Sequence, residues 1–500
     1  MLRASPRHQL SASRGLRGMS SYFRITPLRF VVKWIVLSLW AGLLGGLGAV
    51  VFTVFLDLNM EFFYSLVEDG FLLLIPILPA LGGLMVGIVN FFFNKEAFYT
   101  LGASESALEA IHERQGFVSP KKPFVTILTS SLSIGTGNSV GKEFPAVDIG
   151  VGFGSIARRL IEYLGISRVV RWLKITRRDS RIMAICGASS ALAGVFGAPL
   201  GGGVFGSEVI YQEDVEVAAL GPALLSSCIG VVVCWLILGH HVPFHVPHIE
   251  DMVFLNPNVV SDLCNFALTV GLGVVCGLAA VVFVKFFYLT AKVFRLLKVP
   301  AVARPALGGL LNGLLVLAVY LVARELYLWG LGYDAIEATI AAEVPVFLLL
   351  LLFFTKIAAT SFVICSGGAG GTLIPSFFLG AVVGGLYFYA LSGLAPCMSN
   401  AYYAAYVTAG ICAFSAATAR IPMSSVLLVC EMARNFTVMP SLLTATIVAF
   451  FVTRPFGITI YRAQRRRRVG LTRKRRFLDF LLWLLIVAIG VTVYRILGFA

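Results

Sequence analysis

Three short segments occur twice in this 500-residue chain, and they recur in the same order. Leu331-Gly332-Tyr333-Asp334-Ala335-Ile336-Glu337 echoes the turn at Gly102–Glu109. Ser366-Gly367-Gly368-Ala369-Gly370-Gly371-Thr372-Leu373-Ile374-Pro375 echoes Gly135–Pro145. Gly410–Glu431 echoes Gly187–Glu208, and Pro199 to Glu208 spans nine positions, as does Pro422 to Glu431. Such a chain is built from two related halves. Membrane transport proteins of this design place the substrate where broken helices of both halves meet.

A membrane setting follows from composition. Hydrophobic residues make up 58% of the chain and charged residues only 13%. Long apolar runs of this kind read as membrane spans. The net charge of +15 does not imply nucleic acid, because the basic residues cluster in short loops, as cytoplasmic loops of membrane proteins do. Nine cysteines are scattered without a C-x-x-C pair, so they read as small packing residues rather than disulfides or metal ligands. His240, His241, His245 and His248 share one loop with Pro243 and Pro247 between them. A solvated, proton-sensitive loop fits that pattern better than a metal site. No metal and no cofactor are expected. No nucleophile–base pair stands out within the spans, so an enzyme is not expected either.

Gly135-Thr136-Gly137-Asn138-Ser139-Val140-Gly141-Lys142-Glu143-Phe144-Pro145 stands out against this background. Its glycines let the backbone turn and bring bare N–H groups close to a ligand. Pro145 suits the first turn of the apolar helix that follows from Ala146 to Leu160. A helix start carries partial positive charge and unpaired donors, which suit an anion. Irregular backbone at membrane depth survives only inside protein or along a watery path. Glu143 is then an intramembrane acid, a functional candidate by default.

The chain divides into a basic tail (1–29), a first membrane repeat (30–290), a basic connector (291–305), a second repeat with a C-terminal helix, pore-facing by the resemblance given below (306–464), a basic cytoplasmic segment (465–476) and an extra hydrophobic segment (477–500). The tail reads as a cytoplasmic anchor, with an organelle transit peptide as the alternative. The first span is Phe30–Phe55, and the acidic stretch Asp57–Asp69 after it reads as an outer loop. Arg465–Arg468 and Arg473–Arg476 read as lipid-contacting. The segment 477–500 is about long enough to span, or to lie against the membrane surface.

These residues resemble the CLC family of chloride channels and chloride/proton exchangers. Gly141-Lys142-Glu143-Phe144-Pro145 looks like the family's GREGP motif, and Gly370-Gly371-Thr372-Leu373-Ile374-Pro375 like its GGxFxP motif. Gly197-Ala198-Pro199-Leu200 with Glu208, and Ile421-Pro422 with Glu431, match a further signature. The resemblance runs from about Phe30 to Gln464. It implies an all-α integral membrane protein, an inverted-repeat bundle of tilted and re-entrant helices. It also implies a homodimer in a lipid membrane, most simply the plasma membrane, with an anion path in each subunit and chloride or another small anion as the transported partner.

By that resemblance Glu143 is the gating acid, a tethered anion that leaves its seat when protonated or displaced. Gly141, Lys142, Phe144, Thr372, Leu373 and Ile374 are the anion-binding candidates, the last three through backbone N–H groups. Tyr461 matches the tyrosine that contacts the central anion, with an interfacial aromatic as the alternative. Several positions depart from the family. Phe144 replaces Gly and is expected to narrow the outer side of the site. Lys142 replaces Arg, which keeps the charge but loses the planar fork. Leu373 replaces Phe. The serine turn corresponds to Leu101–Glu105 without its proline, which leaves Ser104 and Gly102 as candidates.

Val209 occupies the position where exchangers of the family carry a second, internal glutamate. An apolar side chain cannot relay a proton, so the expectation is a passive channel, with a chloride/proton or fluoride/proton exchanger as the alternative. Exchange would need another acid, such as Glu208 or Glu213, or a water path. Glu208 itself reads more readily as structural, as does its counterpart Glu431. A non-conducting membrane scaffold is the reading of another class, suggested by Phe144 and the altered serine turn.

Overall fold

The computed structural model describes residues 27–68, 72–98, 103–165, 175–209, 217–240, 259–394, 398, 400–436 and 438–461. Gly102, Glu213, His241, His245 and His248 lie outside the described residues, as do nearly all of the basic tail and the segments 465–476 and 477–500.

Sixteen α-helices are described. The first eight are α1 (Pro27–Glu68), α2 (Leu74–Phe93), α3 (Ala103–His112), α4 (Lys122–Gly135), α5 (Glu143–Tyr163), α6 (Arg177–Phe196), α7 (Pro199–Glu208) and α8 (Val217–Leu238). The second eight repeat them: α9 (Val259–Leu296), α10 (Arg304–Ala323), α11 (Tyr333–Ile340), α12 (Val346–Cys365), α13 (Leu373–Ser392), α14 (Tyr403–Ala419), α15 (Pro422–Met432) and α16 (Met439–Thr453). Among the described residues, eight helices are long and apolar enough to cross a membrane. Apolar side chains such as Leu236 (80% exposed), Phe92 (70%) and Phe354 (63%) point outward from them. This is an integral, multi-pass membrane protein.

The repeat is physical as well as sequential. On α5 and α6, a Cβ added at Gly150 would meet the Gly187 carbonyl oxygen at 2.3 Å, and one at Gly187 would meet that of Gly150 at 2.2 Å. On α13 and α14, Gly380 and Gly410 oppose each other in the same way, at 2.4 and 2.3 Å. With lipid as the solvent, close backbone approach of this kind drives helix association. Left-handed caps also recur. Gly197 (φ 65°) ends α6 and Arg420 (φ 57°) ends α14, each two residues before a proline-started helix.

The halves are inverted. A Cβ at Gly83 of α2 would meet the Pro305 oxygen of α10 at 2.1 Å, and one at Gly309 of α10 would meet the Pro79 oxygen of α2 at 2.1 Å. Gly87 likewise faces Val302, and Gly313 faces Pro76. Residue numbers rise along one helix as they fall along the other. Equivalent helices therefore cross antiparallel, which places the two-fold axis between the halves perpendicular to them.

Three expectations are corrected. The break after Phe55 does not occur, because α1 runs unbroken to Glu68. Asp57–Glu68 holds no Gly or Pro to stop a helix, and acidity alone does not end one. The halves divide between α8 and α9 rather than at 291–305, because α9 packs on α12, α13, α14 and α16 of the second half. The basic segment is the last turn of α9 and its link to α10. Cys264 is in a disulfide, unlike the free Cys186, Cys234, Cys276, Cys365, Cys412 and Cys430, which are buried.

Gly150→Ala should destabilise the detergent-solubilised protein by about 1–3 kcal/mol, because backbone atoms on α6 cannot yield. Gly221→Ala, whose Cβ would meet nothing within 4 Å, should be neutral or stabilising by about 0.5–1 kcal/mol. Thermal melting of both variants checks the contrast, and equal losses would contradict it.

Candidate functional site

The two glycine-rich stretches meet. Gly141 N–H donates to the Gly371 oxygen at 2.9 Å, and Gly371 N–H returns a bond to the Gly141 oxygen at 2.7 Å. This antiparallel bridge joins equivalent residues of the two halves. Each glycine lies two residues before a helix, so the bridge sets the starts of α5 and α13 side by side. Neither start is capped by the side chain of its N-cap residue, Lys142 or Thr372. By contrast α6 begins with a full capping box, in which Thr176 and Asp179 satisfy each other's amides. The first-turn donors of α5 and α13 are thus left for another acceptor.

Glu143 supplies one. It is fully buried in the first turn of α5, where the helix dipole favours a negative charge. Its Oε1 accepts the Leu373 N–H of the opposite helix start. Its own amide and that of Ile374 also face the carboxylate. Oε2 has no hydrogen-bond partner among the described residues. The carboxylate fits only because Gly141 and Gly371 lack side chains. A Cβ at Gly371 would lie 2.1 Å from Oε1, and one at Gly141 would lie 1.9 Å from Oε2.

Thr372, Leu373 and Ile374 are buried at this point, as are Lys142, Phe144 and Tyr461. Phe144 was expected on the outer side, yet its ring packs on Tyr461 (4.6 Å between centroids) and Phe205 (6.2 Å). The substitution of glycine by phenylalanine therefore fills the space beside Tyr461. The Tyr461 hydroxyl lies near the Thr372 side chain without a well-formed hydrogen bond. The Lys142 ammonium group faces the rings of Tyr333 (5.5 Å) and Phe196 (5.8 Å), a cation–π setting that offsets part of its lost hydration. Ser104 falls in the first turn of α3, and its side chain lies outside the described residues.

Glu208 and Glu431 stand apart from this seat. Glu208 accepts the Met423 and Ser424 amides at 3.1 and 2.8 Å, together with the Ser424 hydroxyl. It thereby caps α15 of the other half. Glu431 accepts the Leu200 and Gly201 amides at 2.8 and 2.7 Å and caps α7. Each half closes the other's helix start through equivalent acids, which gives both residues a structural task. Val209 is buried.

Sequence reading missed several polar residues here. Lys356, the one charge in α12, is fully buried and donates to the Ser139 hydroxyl at 2.7 Å. Thr360 donates to the Ser139 carbonyl at 2.9 Å, and Asn312 of α10 donates to the Gly137 carbonyl at 3.1 Å. These second-half side chains hold the first-half loop in place. Asp148, buried on α5, accepts from Ser106 (2.9 Å) and Thr126 (2.8 Å) and lies 3.6 Å from the Lys122 ammonium group. A single charge inside an apolar helical run was the available signal for both Lys356 and Asp148. The remaining loop histidine, His240, stacks on Trp235 (4.3 Å) and faces Arg434 (2.9 Å).

Comparison with known proteins agrees with the fold and the motifs. A sequence profile described as voltage gated chloride channel matches residues 102–454. The voltage-gated ClC-type chloride channel ClcB of Escherichia coli O9:H4 is 26% identical over 377 residues, covering 75% of this chain and 83% of that protein. A slow cyanobacterial Cl⁻/H⁺ antiporter of known structure superposes with a TM-score of 0.71 at 20% identity, over 87% of this chain and 97% of that one. A CLC-type fluoride/proton antiporter superposes with a TM-score of 0.68 at 20% identity, over 86% and 97%.

Glu208→Ala and Glu431→Ala should each destabilise the protein by about 1–3 kcal/mol, because each leaves two helix-start amides without their charged acceptor. Melting curves in detergent test this, and unchanged midpoints would remove the capping role.

Proposed function

This chain belongs to the voltage-gated chloride channel family, and on that premise we propose that it moves chloride or a similar small anion passively across a membrane, through a path that Glu143 gates. One observation carries the reading: the Glu143 carboxylate sits on the Leu373 amide, at a helix start with no side-chain cap of its own. An anion in the path and the carboxylate want the same donors. A halide can occupy the seat only when the side chain withdraws, and protonation removes the charge that holds it there. In this reading the backbone donors of Thr372, Leu373 and Ile374, the charge of Lys142, and Tyr461 form the anion's surroundings. No cofactor takes part.

Passive transport is favoured over exchange because Val209 offers no proton site and Glu208 is engaged in capping α15. Exchange of protons for chloride or fluoride is the second reading. Asp148 speaks for it, as a buried acid five residues along α5 from Glu143. A homodimer with one path per subunit is the assembly that family membership implies, and we place it in the plasma membrane.

Purified protein in liposomes decides between these readings. Chloride efflux above that of empty vesicles supports transport, and its absence favours a scaffold. At fixed chloride, a reversal potential that ignores an imposed pH gradient supports the channel. A potential that shifts with the gradient supports exchange.

The sign of the pH response follows from the gate. Acid protonates Glu143, so flux should rise as pH falls. Glu143→Gln should give high flux at every pH, and a pH response unchanged from wild type would mean that the acid is not the gate. Gly371→Ala should lower flux, because its methyl group takes the place that carboxylate and halide share. Adding it to Glu143→Ala should lower flux as well. Unchanged flux in that double variant would show that the halide does not use the seat.

A further inference from the structure

Lys356 has no task in the gating scheme above, and its setting is unusual. An ammonium ion taken wholly out of water is disfavoured by several kcal/mol unless something compensates it. Lys356 is 0% exposed. It forms no ion pair among the described residues. Its immediate partners are the Ser139 hydroxyl at 2.7 Å and the face of the Phe378 ring at 4.6 Å. Both partners belong to the gate. Ser139 lies four residues before Glu143, and Phe378 lies five residues after Leu373 on α13. The carboxylate whose charge acts on Lys356 is that of Glu143.

Lys142 is the second buried cation at this place. It too forms no ion pair among the described residues, and it feels the charge of Glu143 together with that of Asp57. Two buried lysines therefore lie in the field of the one carboxylate of the seat. When Glu143 leaves the seat or takes a proton, that part of their compensation is lost, and a mobile anion is a species able to restore it. Ser139 extends this effect. Its oxygen accepts from Lys356, and its hydroxyl proton has no acceptor among the described residues. A hydroxyl polarised by an ammonium group is a stronger donor than a free one.

We propose that Lys356 is a positioning residue for the transported anion: a fixed buried charge on the second half that, through Ser139 and its field, sets how tightly the seat binds a small monovalent anion. The proposal rests on the gated-path reading of Glu143. It differs from that reading because it concerns affinity at the seat rather than whether the seat opens.

Chloride titration by calorimetry on the full-length, detergent-solubilised protein tests it, alongside liposome flux. Lys356→Met should weaken chloride binding by about tenfold or more, since one charge near an anion in a poorly screened site is worth at least that. Lys356→Arg, which keeps the charge, should stay within about threefold of wild type, as a field effect requires. Ser139→Ala should fall between the two. Ser361→Ala, which removes only a bond to the Ile357 carbonyl of α12 itself, should leave affinity unchanged and so separates the charge from general disturbance of α12. If Lys356→Met does not fold, Lys356→Gln removes the charge while keeping a donor to Ser139 and should show the same loss. Folded Lys356→Met or Lys356→Gln with wild-type chloride affinity would overturn the proposal. A wild-type protein that binds chloride but gives no flux would sink the transport reading and leave the binding comparison to decide the role of Lys356.

Discussion

A pair of hydrogen bonds between Gly141 and Gly371 holds the centre of this molecule together. They are the point at which the two halves touch through equivalent residues, and everything at the site is positioned from them. Because the bridge comes just before α5 and α13, it brings two helix starts together in the interior. Helix starts are normally closed by their own side chains or by water. Here the N-cap residues, Lys142 and Thr372, provide no such closure. An unclosed pair of helix starts away from water is unstable alone, and a negative group is the natural resolution. Glu143 is that group, and in the proposed function a mobile anion is its competitor.

The same two-fold logic extends outward. Glu208 and Glu431 cap each other's halves. The reciprocal glycine contacts of α2 with α10 seat one half against the other through backbone. Each of these contacts is rigid, because a carboxylate on two amides or a glycine against a carbonyl tolerates little displacement. Motion at the site is therefore most readily confined to the Glu143 side chain, with the surrounding helices fixed. A rigid frame around one acid suits the proposed gate, whose opening needs no domain movement.

Much of this was legible in the sequence. The repeat, the breaks at 135–145 and 366–375, and the intramembrane acid at 143 follow from glycine, proline and charge placed where an apolar helix cannot absorb them. Other features were hidden for physical reasons. Helix α1 continues past Phe55 because acidic residues signal a loop only statistically, whereas breakers end a helix sterically. The inward packing of Phe144 depends on Tyr461, more than three hundred positions away in sequence. Lys356 was not singled out, because Ser139, the partner that gives this charge its place, lies 217 positions earlier. Local pattern encodes where a chain turns. It does not encode which distant side chain then receives the turn.

The central claim is that a carboxylate and an anion compete for one set of donors. Crystals of Glu143→Gln grown in bromide, with anomalous data collected at the bromine edge, test it most directly. A bromide peak is expected within hydrogen-bonding distance of the Leu373 amide, in the place that the Glu143 carboxylate occupies in the unmodified protein. Bromide bound elsewhere in the molecule, with the Leu373 amide bonded to some other protein group, would contradict it.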